Sequence, residues 1–573
     1  MSSESVSVVL AGSGGAGVIT AGTILLEAAG KAGWYAYMTR SAGAQIRGGE
    51  AAAMIRFSNA PVDSHKDNFD VLIGIDWQNA GKYATEFCLC RDSLIIGDPN
   101  QGEVPKEILT SGASEASIEF KQQARKIKGR PNMLAVGVVA KLIGLPLESV
   151  VSVLEKTIGR KGEEAMRTSL NAVELGMKEA ESLPTVKQLP SNQDSGNGRW
   201  SISGNKAAGL GAVKGGVRYV AAYPITPATE ILEWMAPALD KVGGALVQVE
   251  DELASINQIV GSSYGGVPSF TATSGPGLSL MIESCGLAIA SETPLVIVDV
   301  MRGGPSTGLP TKSEQADLNI ALYGMHGDAP HIVLAPNSIA DCMRATQWAV
   351  HLAESLQTVA IVLSDQVLGQ AQAIINAPAD INYPAKRELA TKPPEGESYK
   401  RYKLTESGVS PMAIPGIKGC QYTADGLEHS EASTPSSVIS DHAEQLDKRQ
   451  NKLTQYDYGD YWGDVEGEGE TAVLCWGSTT SPVREALDQL RDEGRKIRLV
   501  SMRLLLPAQP EMLAKALEGV KNILVVEQSH GGQFNQYLRA HYQLEGNVKP
   551  YHRPGPLMFR PGEIYQQLVE WTE

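Results

Sequence analysis

Four short polar motifs interrupt the apolar segments in the middle of this chain, and each stands where a predicted strand gives way to a turn or a helix. In an α/β fold the carboxyl ends of parallel strands share one edge of the sheet, and ligands bind in the crevice beside that edge. The pattern therefore predicts one site that receives a hydroxyl, a carboxylate and a guanidinium. The motifs are Tyr223-Pro224-Ile225-Thr226-Pro227, Glu250-Asp251-Glu252, Thr273-Ser274-Gly275-Pro276-Gly277 and Arg302-Gly303-Gly304-Pro305-Ser306.

Length, charge and cysteine content exclude several classes of protein. A chain of 573 residues is too long for one hydrophobic core, so three or four domains are expected. A net charge of -15 argues against nucleic acid as the main partner, because phosphate binding needs a basic face. The sequence shows neither an apolar run of roughly 20 residues nor a signal peptide, and its six cysteines are scattered as in reduced thiols. These features predict a cytoplasmic protein that binds no membrane.

The alternation of predicted strands and helices assigns the chain to the multidomain α/β class. Residues 1–185 predict a first α/β domain with a mostly parallel sheet, and residues 186–199 predict a linker rich in Pro, Ser and Asn. Residues 200–375 carry the four motifs in a second α/β domain. Residues 376–465 have weak periodicity and predict an extended connector. The α/β pattern restarts in a last domain over 466–573.

A glycine-rich turn follows the first predicted strand and precedes an amphipathic helix. In Gly12-Ser13-Gly14-Gly15-Ala16-Gly17 the bare backbone lets amide groups and the helix N-terminus approach a phosphate. The next strand ends in Thr39-Arg40-Ser41 and not in an acid, so the ribose contact of an NAD site is missing. NADP held through Arg40, the nucleotide end of coenzyme A, and a tight turn without a ligand are the alternatives. The loop from Arg40 to Arg47 either closes over a phosphorylated ligand or contacts another domain.

Taken together, these motifs make the chain resemble the α subunit of a 2-oxoacid:ferredoxin oxidoreductase whose γ domain is fused to the N-terminus. The γ signature is similar to residues 12–22 with Arg47-Gly48-Gly49, and the α signature is similar to the four motifs above. The last domain is similar to a transketolase C-terminal-like domain through Ser501-Met502-Arg503 and Val526-Glu527-Gln528. The resemblance covers nearly the whole chain and is weakest over 376–465.

The resemblance implies a γ-type domain, a domain that binds the pyrimidine of thiamine diphosphate, and the C-terminal domain. It implies that 2-oxoglutarate, or pyruvate or another 2-oxoacid, reacts with coenzyme A and oxidised ferredoxin to give an acyl-coenzyme A, CO2 and reduced ferredoxin. In the family a β subunit holds the diphosphate, Mg²⁺ and an iron–sulfur cluster, here expected as [4Fe-4S], and two αβ pairs are expected to associate. This chain lacks a Gly-Asp-Gly motif and a cluster ligand set. A thiamine-dependent subunit that works without ferredoxin, and a non-enzymatic nucleotide-binding scaffold, are the alternatives.

The acid that activates thiamine diphosphate is expected where the strand 245–249 meets the following helix. A glutamate hydrogen-bonded to the aminopyrimidine favours the tautomer that removes the thiazolium proton. Glu250 is closer to the strand end, but Glu252 stands nine positions before Gly261, a spacing similar to that of related thiamine enzymes, and is preferred. Alternatively, both acids only stabilise the helix N-terminus, by roughly 0.3–1 kcal/mol.

Thr226 and Arg302 are the candidates for contacts with the 2-oxoacid. The Thr226 hydroxyl can donate to a substrate oxygen, and the Arg302 guanidinium can bind a carboxylate with two hydrogen bonds. The structural alternatives are a helix N-cap for Thr226 and an interface ion pair for Arg302. The residues predicted to line the cofactor pocket are Tyr223, Pro224, Ile225, Glu252, Ser274 and Gly275.

A second substrate carboxylate, as in 2-oxoglutarate, needs further polar contacts. Lys312 with Ser313, or Arg40 with Arg47 from the γ domain, are candidates that the sequence does not rank. Coenzyme A is assigned to the γ domain, at Gly12, Gly14, Gly15, Arg40 and Arg47.

Overall fold

The computed structural model describes residues 4–43, 49–78, 80–190, 196 and 198–572, and these form an α/β protein. In the N-terminal part, helices bury their apolar faces against a sheet. The strands are β1 (Ser5–Ser13), β2 (Tyr35–Ala42), β3 (Glu50–Ser58), β4 (Val71–Gly74), β5 (Leu94–Gly97) and β6 (Ser114–Ser117). The helices are α1 (Val18–Lys31), α2 (Lys106–Leu109), α3 (Phe120–Lys126), α4 (Pro131–Ile143), α5 (Leu147–Thr157) and α6 (Glu163–Glu179).

Two long strands of the middle part, Leu295–Met301 and Val359–Asp365, are buried along their whole length, as is expected where helices cover both faces of a sheet. The strands are β7 (Arg199–Ser203), β8 (Tyr219–Ala222), β9 (Ala245–Gln248), β10 (Ser269–Thr273), β11 (Leu295–Met301), β12 (Ile332–Leu334), β13 (Val359–Asp365) and β14 (Gln372–Asn376). The helices are α7 (Gly204–Gly215), α8 (Thr229–Asp240), α9 (Glu252–Tyr264), α10 (Gly275–Ala290), α11 (Leu318–Tyr323), α12 (Ile339–Leu356) and α13 (Gln366–Gln370).

The predicted connector is irregular over 377–438 and then forms the helix α14 (Ile439–Thr454), which its weak periodicity did not predict. The C-terminal part returns to alternating elements. Its strands are β15 (Gly463–Glu466), β16 (Thr471–Trp476), β17 (Ile497–Met502), β18 (Leu504–Leu506), β19 (Asn522–Glu527) and β20 (Asn547–His552). Its helices are α15 (Thr480–Asp492), α16 (Pro510–Ala516), α17 (Gln533–His541) and α18 (Pro561–Thr572).

The described strands form sheets of eight, seven and five strands. The seven-stranded sheet has the order β18-β12-β13-β11-β10-β8-β9 and is parallel from β12 to β9. The five-stranded sheet has the order β15-β17-β16-β19-β20 and is parallel from β17 to β20. The predicted α/β class is therefore confirmed.

The N-terminal sheet is mixed, with the order β6-β5-β4-β1-β3-β2-β14-β7. Its strands β6, β5, β4 and β1 are parallel, but every pair from β1 to β7 is antiparallel. The prediction of a mostly parallel sheet was wrong for this half. The reason is that only seven residues separate the end of β2 from the start of β3, which is too few for the crossover that parallel strands require.

Strands from one part of the chain complete the sheets of another part. The strands β7 and β14 flank the middle part in sequence, yet both pair in the N-terminal sheet. The strand β18 of the C-terminal part pairs with β12 in the middle sheet. These exchanges hold the parts together by backbone hydrogen bonds, and the predicted domain boundaries stay predictions. Among the described helices, none combines the length and apolar character that crossing a membrane requires.

Candidate active site

The four polar motifs lie along one edge of the middle sheet. The strands β8, β9, β10 and β11 are parallel, so their carboxyl ends point to the same side. One motif follows each of these ends, and α9 and α10 begin there with their N-termini at the crevice. This is the edge at which an α/β sheet binds ligands.

The two candidate glutamates differ in burial. Glu252 is the first residue of α9 and is 7 % exposed, whereas Glu250 is exposed. Asp251 caps the helix, since its carboxylate accepts a hydrogen bond from the Ala254 amide at 2.7 Å. The Glu252 carboxylate makes no hydrogen bond to the described part of the chain, and a Cβ on Gly277 would lie 2.7 Å from its Oε1. Capping by Asp251 therefore leaves Glu252 available to a ligand.

Arg302 and Thr226 meet at the ends of β11 and β8. The Arg302 Nη1 donates a hydrogen bond to the Thr226 carbonyl oxygen at 2.6 Å. Arg302 is 6 % exposed and its Nε has no partner in the described chain, whereas Thr226 is exposed. The guanidinium is thus fixed by one backbone contact and keeps other donors for a ligand.

The residues that follow β10 and β8 border the same crevice. Ser274 is buried, and its hydroxyl has no hydrogen-bond partner among the described residues. Gly275 begins α10, where a Cβ would come within 2.6 Å of both carboxylate oxygens of Asp317. Tyr223 is exposed, and Ile225 packs on the main core with part of its surface open. The predicted lining residues therefore lie in one region.

The structure adds two acids that the sequence analysis missed. Asp299 lies within β11 and is fully buried, and Asp317 stands just before α11. Burial, and then the neighbouring Asp317 carboxyl, raise the pKa of Asp299 well above its usual range. Burial also raises the pKa of Asp317, to about 6. A lone aspartate in the apolar strand Leu295–Met301 is the signal that could have revealed this pair.

The residues predicted to bind coenzyme A do not all lie at one site. Gly12 lies within β1, and the Gly14 amide donates to the Gly49 carbonyl oxygen. Gly15 and Gly17, both with positive φ, line a cavity of about 860 Å³ between the first helix and α4. Arg47 lies outside the described residues. The cations that line this cavity are Lys121, Lys128, Arg130 and Lys161.

The remaining candidates for a second carboxylate already have partners in the protein, and two of them, Arg40 and Lys312, join different parts of the chain. Arg40 Nη2 pairs with Glu230 at 2.9 Å, which joins the N-terminal sheet to α8. Lys312 Nζ donates to the Ser41 hydroxyl at 2.8 Å and pairs with Glu86. Ser313 is buried and its hydroxyl accepts a hydrogen bond from the Val367 amide at 3.3 Å. Each side chain therefore already has a structural partner.

Among the described residues, no group of three or more His, Cys, Asp or Glu side chains is arranged to hold a metal ion.

Comparison with known proteins gives matches along most of the chain. The chain is 30% identical to a 2-oxoacid:ferredoxin oxidoreductase subunit alpha of a Sulfolobus species, over 92% of this chain and 90% of the relative. It is 36% identical to the 2-oxoglutarate synthase subunit KorA of Methanothermobacter marburgensis, over 64% of this chain and 98% of the relative. The matching family models are "Pyruvate ferredoxin/flavodoxin oxidoreductase" over residues 7–179, "Pyruvate flavodoxin/ferredoxin oxidoreductase, thiamine diP-bdg" over 210–448, and "Pyruvate:ferredoxin oxidoreductase core domain II" over 469–564.

A solved structure shows the same fold over the whole length of both chains. It is the 2-oxoglutarate:ferredoxin oxidoreductase from Magnetococcus marinus, with 35% identity and a TM-score of 0.91. Fold and matches together define an oxidoreductase with a thiamine diphosphate-binding domain. The chain belongs to the family of 2-oxoacid:ferredoxin oxidoreductase α subunits, which confirms the resemblance inferred from its motifs.

Proposed function

We propose that the chain is the α subunit of a 2-oxoglutarate:ferredoxin oxidoreductase. The reversible reaction is that of 2-oxoglutarate, coenzyme A and oxidised ferredoxin to succinyl-coenzyme A, CO2 and reduced ferredoxin. The observation that carries the proposal is the buried, unpaired Glu252 carboxylate on the same sheet edge as Arg302. The Magnetococcus enzyme, similar over its full length, contains 2-oxoglutarate, coenzyme A and succinyl-CoA. Pyruvate or a broader set of 2-oxoacids is the second candidate, because the matching family descriptions name pyruvate.

The crevice fits the pyrimidine half of thiamine diphosphate. Glycines at 275 and 277 leave space where side chains would collide with Asp317 and Glu252, and the buried Ser274 hydroxyl lacks a partner in the described chain. Glu252 would accept a hydrogen bond from the ring, and Tyr223, Pro224 and Ile225 would border it. When bound, thiamine diphosphate supplies the carbon nucleophile and the electron sink for decarboxylation. The protein's own contribution is to hold and orient these groups away from water.

A partner subunit would complete the site. Apolar side chains are exposed on the elements that carry the candidate residues: Tyr223 after β8, Leu253 in α9 and Leu280 in α10, with exposures of 40, 49 and 47 %. Exposed apolar surface around a site is typical of a protein interface. We assign this surface to a β subunit that carries the diphosphate, Mg²⁺ and a [4Fe-4S] cluster and passes electrons to ferredoxin, in an (αβ)2 complex.

The cavity beside the glycine turn suits the nucleotide end of coenzyme A. Four cations line it, against the two carboxylates of Asp76 and Glu164. The Asp76 carboxylate is already engaged, since it accepts hydrogen bonds from the Ser13 amide and hydroxyl at 2.9 and 2.6 Å. The N-termini of α1 and α4 also border the cavity, and backbone amides there favour phosphate. A volume of about 860 Å³ accommodates a nucleotide with its phosphates.

Reversing two charges in this cavity is expected to weaken coenzyme A binding selectively. In Lys128→Glu/Arg130→Glu, loss of charge-assisted phosphate contacts should raise the KM for coenzyme A by at least about tenfold. Oxoacid decarboxylation measured with an artificial electron acceptor should change much less. The matched control is Lys126→Glu, on the exposed end of α3 and outside the cavity. An equal rise in KM for the control, or equal loss of both activities, would count against the assignment.

Co-expression with the proposed β subunit tests the proposed function as a whole. The purified complex should show the absorption of an iron–sulfur cluster and reduce ferredoxin with 2-oxoglutarate and coenzyme A. The chain without its partner should have no activity. Turnover by the isolated chain would contradict a shared site, and a preference for pyruvate in a panel of 2-oxoacids would favour the second candidate.

A further inference from the structure

Five buried polar atoms without hydrogen-bond partners in the described chain cluster behind the candidate site. They belong to the ends of β10 and β11 and to the segment before α11. A buried polar atom without a partner costs free energy, so such a cluster needs an explanation. The atoms are Ser274 Oγ, Asp299 Oδ1, Asp299 Oδ2, Arg302 Nε and Asp317 Oδ2.

The two carboxyl groups of this cluster share one place. Asp299 stands opposite Thr273 and Leu363 in the sheet, so both neighbouring strands enclose it. The Asp317 carboxylate lies against the backbone of Gly275. The carboxyl groups of Asp299 and Asp317 are direct neighbours. Since a carboxylate only accepts hydrogen bonds, their oxygens lack a donor in the described chain unless one of the two groups carries a proton, which it can then donate to the other.

The charged groups around the pair are Arg302, three positions after Asp299, and Glu314, which precedes Asp317 in the same loop. Asp365, at the end of the neighbouring strand β13, is engaged by the Leu368 amide and by serine hydroxyls. Burial favours the protonated form of both carboxyl groups and raises the pKa of Asp317 to about 6, so the pair keeps one proton in preference to two buried negative charges. At neutral pH the pair is therefore one buried negative charge beside one buried guanidinium.

We propose that Asp299 and Asp317 form a proton-linked counter-charge to Arg302, which takes up a second proton when the carboxylate of the 2-oxoacid binds to that guanidinium. This inference rests on the proposed function of Arg302. The incoming carboxylate brings a negative charge next to the pair and so favours its neutral form. The proton comes from solvent, and no bond to the substrate is made or broken. The neutral pair leaves the guanidinium charge to the ligand, so Asp299 and Asp317 are positioning residues.

The uptake of a proton determines in which direction the affinity for the oxoacid changes with pH. Because the proton is taken up on binding, the oxoacid binds more tightly as the pH falls from 8 towards 6. The Kd should change by up to about tenfold per pH unit, the limit for one linked proton. Below the pKa of the free pair, of about 6, the pair is already neutral and this dependence should fade.

Calorimetry with glutarate tests the linkage without turnover, because this dicarboxylate lacks the keto group. Titration of the assembled holoenzyme at pH 7, in two buffers with different ionisation enthalpies, should show uptake of about half a proton or more per site. Asp299→Asn and Asp317→Asn should each bind glutarate without that uptake, since an amide replaces the hydroxyl donor and leaves one fixed charge. Glu314→Gln is the matched control, because it removes the nearest other acid and should keep the uptake.

The outcomes separate this inference from the proposed function. Glutarate binding that Arg302→Ala leaves unchanged would overturn Arg302 as the carboxylate site, and the linkage with it. If glutarate binding depends on Arg302 but both Asn variants still take up the proton, the linkage alone is overturned. If the variants do not fold, infrared spectra of the wild-type complex decide the question. A buried protonated carboxyl band that grows when glutarate binds supports the proposal, and no such band overturns it.

Discussion

Glu252→Gln is expected to lower the turnover of the assembled enzyme by about 10²–10⁴-fold, the range for loss of a positioned acid–base group. Glutamine keeps the size and one acceptor of the side chain but cannot form the charge-assisted hydrogen bond that a carboxylate offers to a cofactor ring. Because Glu252 is buried without a hydrogen-bond partner in the described chain, no protein contact is lost in the exchange. The measurement is 2-oxoglutarate-dependent reduction of ferredoxin at saturating cofactor.

Glu250→Gln is the matched control for this prediction. It makes the same chemical change two residues earlier, on an exposed side chain, and should retain most of the wild-type rate. Thermal unfolding of both variants should resemble that of the wild type, since Asp251 continues to cap α9. Equal loss of activity in the two variants, or wild-type turnover by Glu252→Gln, would remove Glu252 from the proposed role.

The convergence of the motifs was predictable because it depends on a local pattern. Apolar strands that alternate with helices form a parallel sheet, and polar residues after such strands must share an edge. The contact between Arg302 and the Thr226 carbonyl oxygen follows from that geometry. The preference for Glu252 over Glu250 rested on spacing alone. The difference in burial between the two glutamates depends on how closely the first turn of α10 approaches Glu252. This approach requires a glycine at position 277, and the spacing of residues in the sequence does not encode it.

The exchange of strands between sheets was not predictable from local patterns. The strand β14 pairs with β2, more than three hundred residues earlier in the chain, and β18 pairs with β12. Short strands of three to five residues carry too little periodicity to choose among distant partners. Likewise, Arg40 and Lys312 were identified as cations, but their partners Glu230 and Glu86 lie in other parts of the fold.

Glu292→Gln is expected to destabilise the chain by about 3–5 kcal/mol, the usual cost of removing one partner from a buried ion pair. Glu292 follows α10, is fully buried, and accepts hydrogen bonds from Lys448 Nζ at 2.6 Å and Lys452 Nζ at 3.3 Å. Its carbonyl oxygen accepts a further hydrogen bond from Arg401 at 2.8 Å. Without the carboxylate, three buried cations of the connector face one another.

A double-mutant cycle separates this electrostatic effect from a packing defect. Lys448→Met in the Glu292→Gln background removes one unpaired cation and should recover part of the lost stability. The exposed pair of Glu468 and Lys496 provides the control, and Glu468→Gln should leave the urea midpoint unchanged. If the losses of stability caused by Glu292→Gln and by Lys448→Met are additive in the double variant, Glu292 acts through packing and not through its charge.

The pH dependence of stability gives an independent check of the same cluster. Two lysines and Arg401 hold the pKa of Glu292 below its ordinary value of 4.5, although burial alone would raise it. A carboxyl group with a lowered folded-state pKa contributes its full stabilisation above the unfolded value and loses it as the pH falls through the folded value. The difference in unfolding free energy between the wild type and Glu292→Gln should therefore be constant near neutral pH and narrow below about pH 4.5. Because α14 supplies both lysines, a smaller free-energy difference below about pH 4.5 would show that the connector is anchored to the thiamine diphosphate-binding domain by these charges.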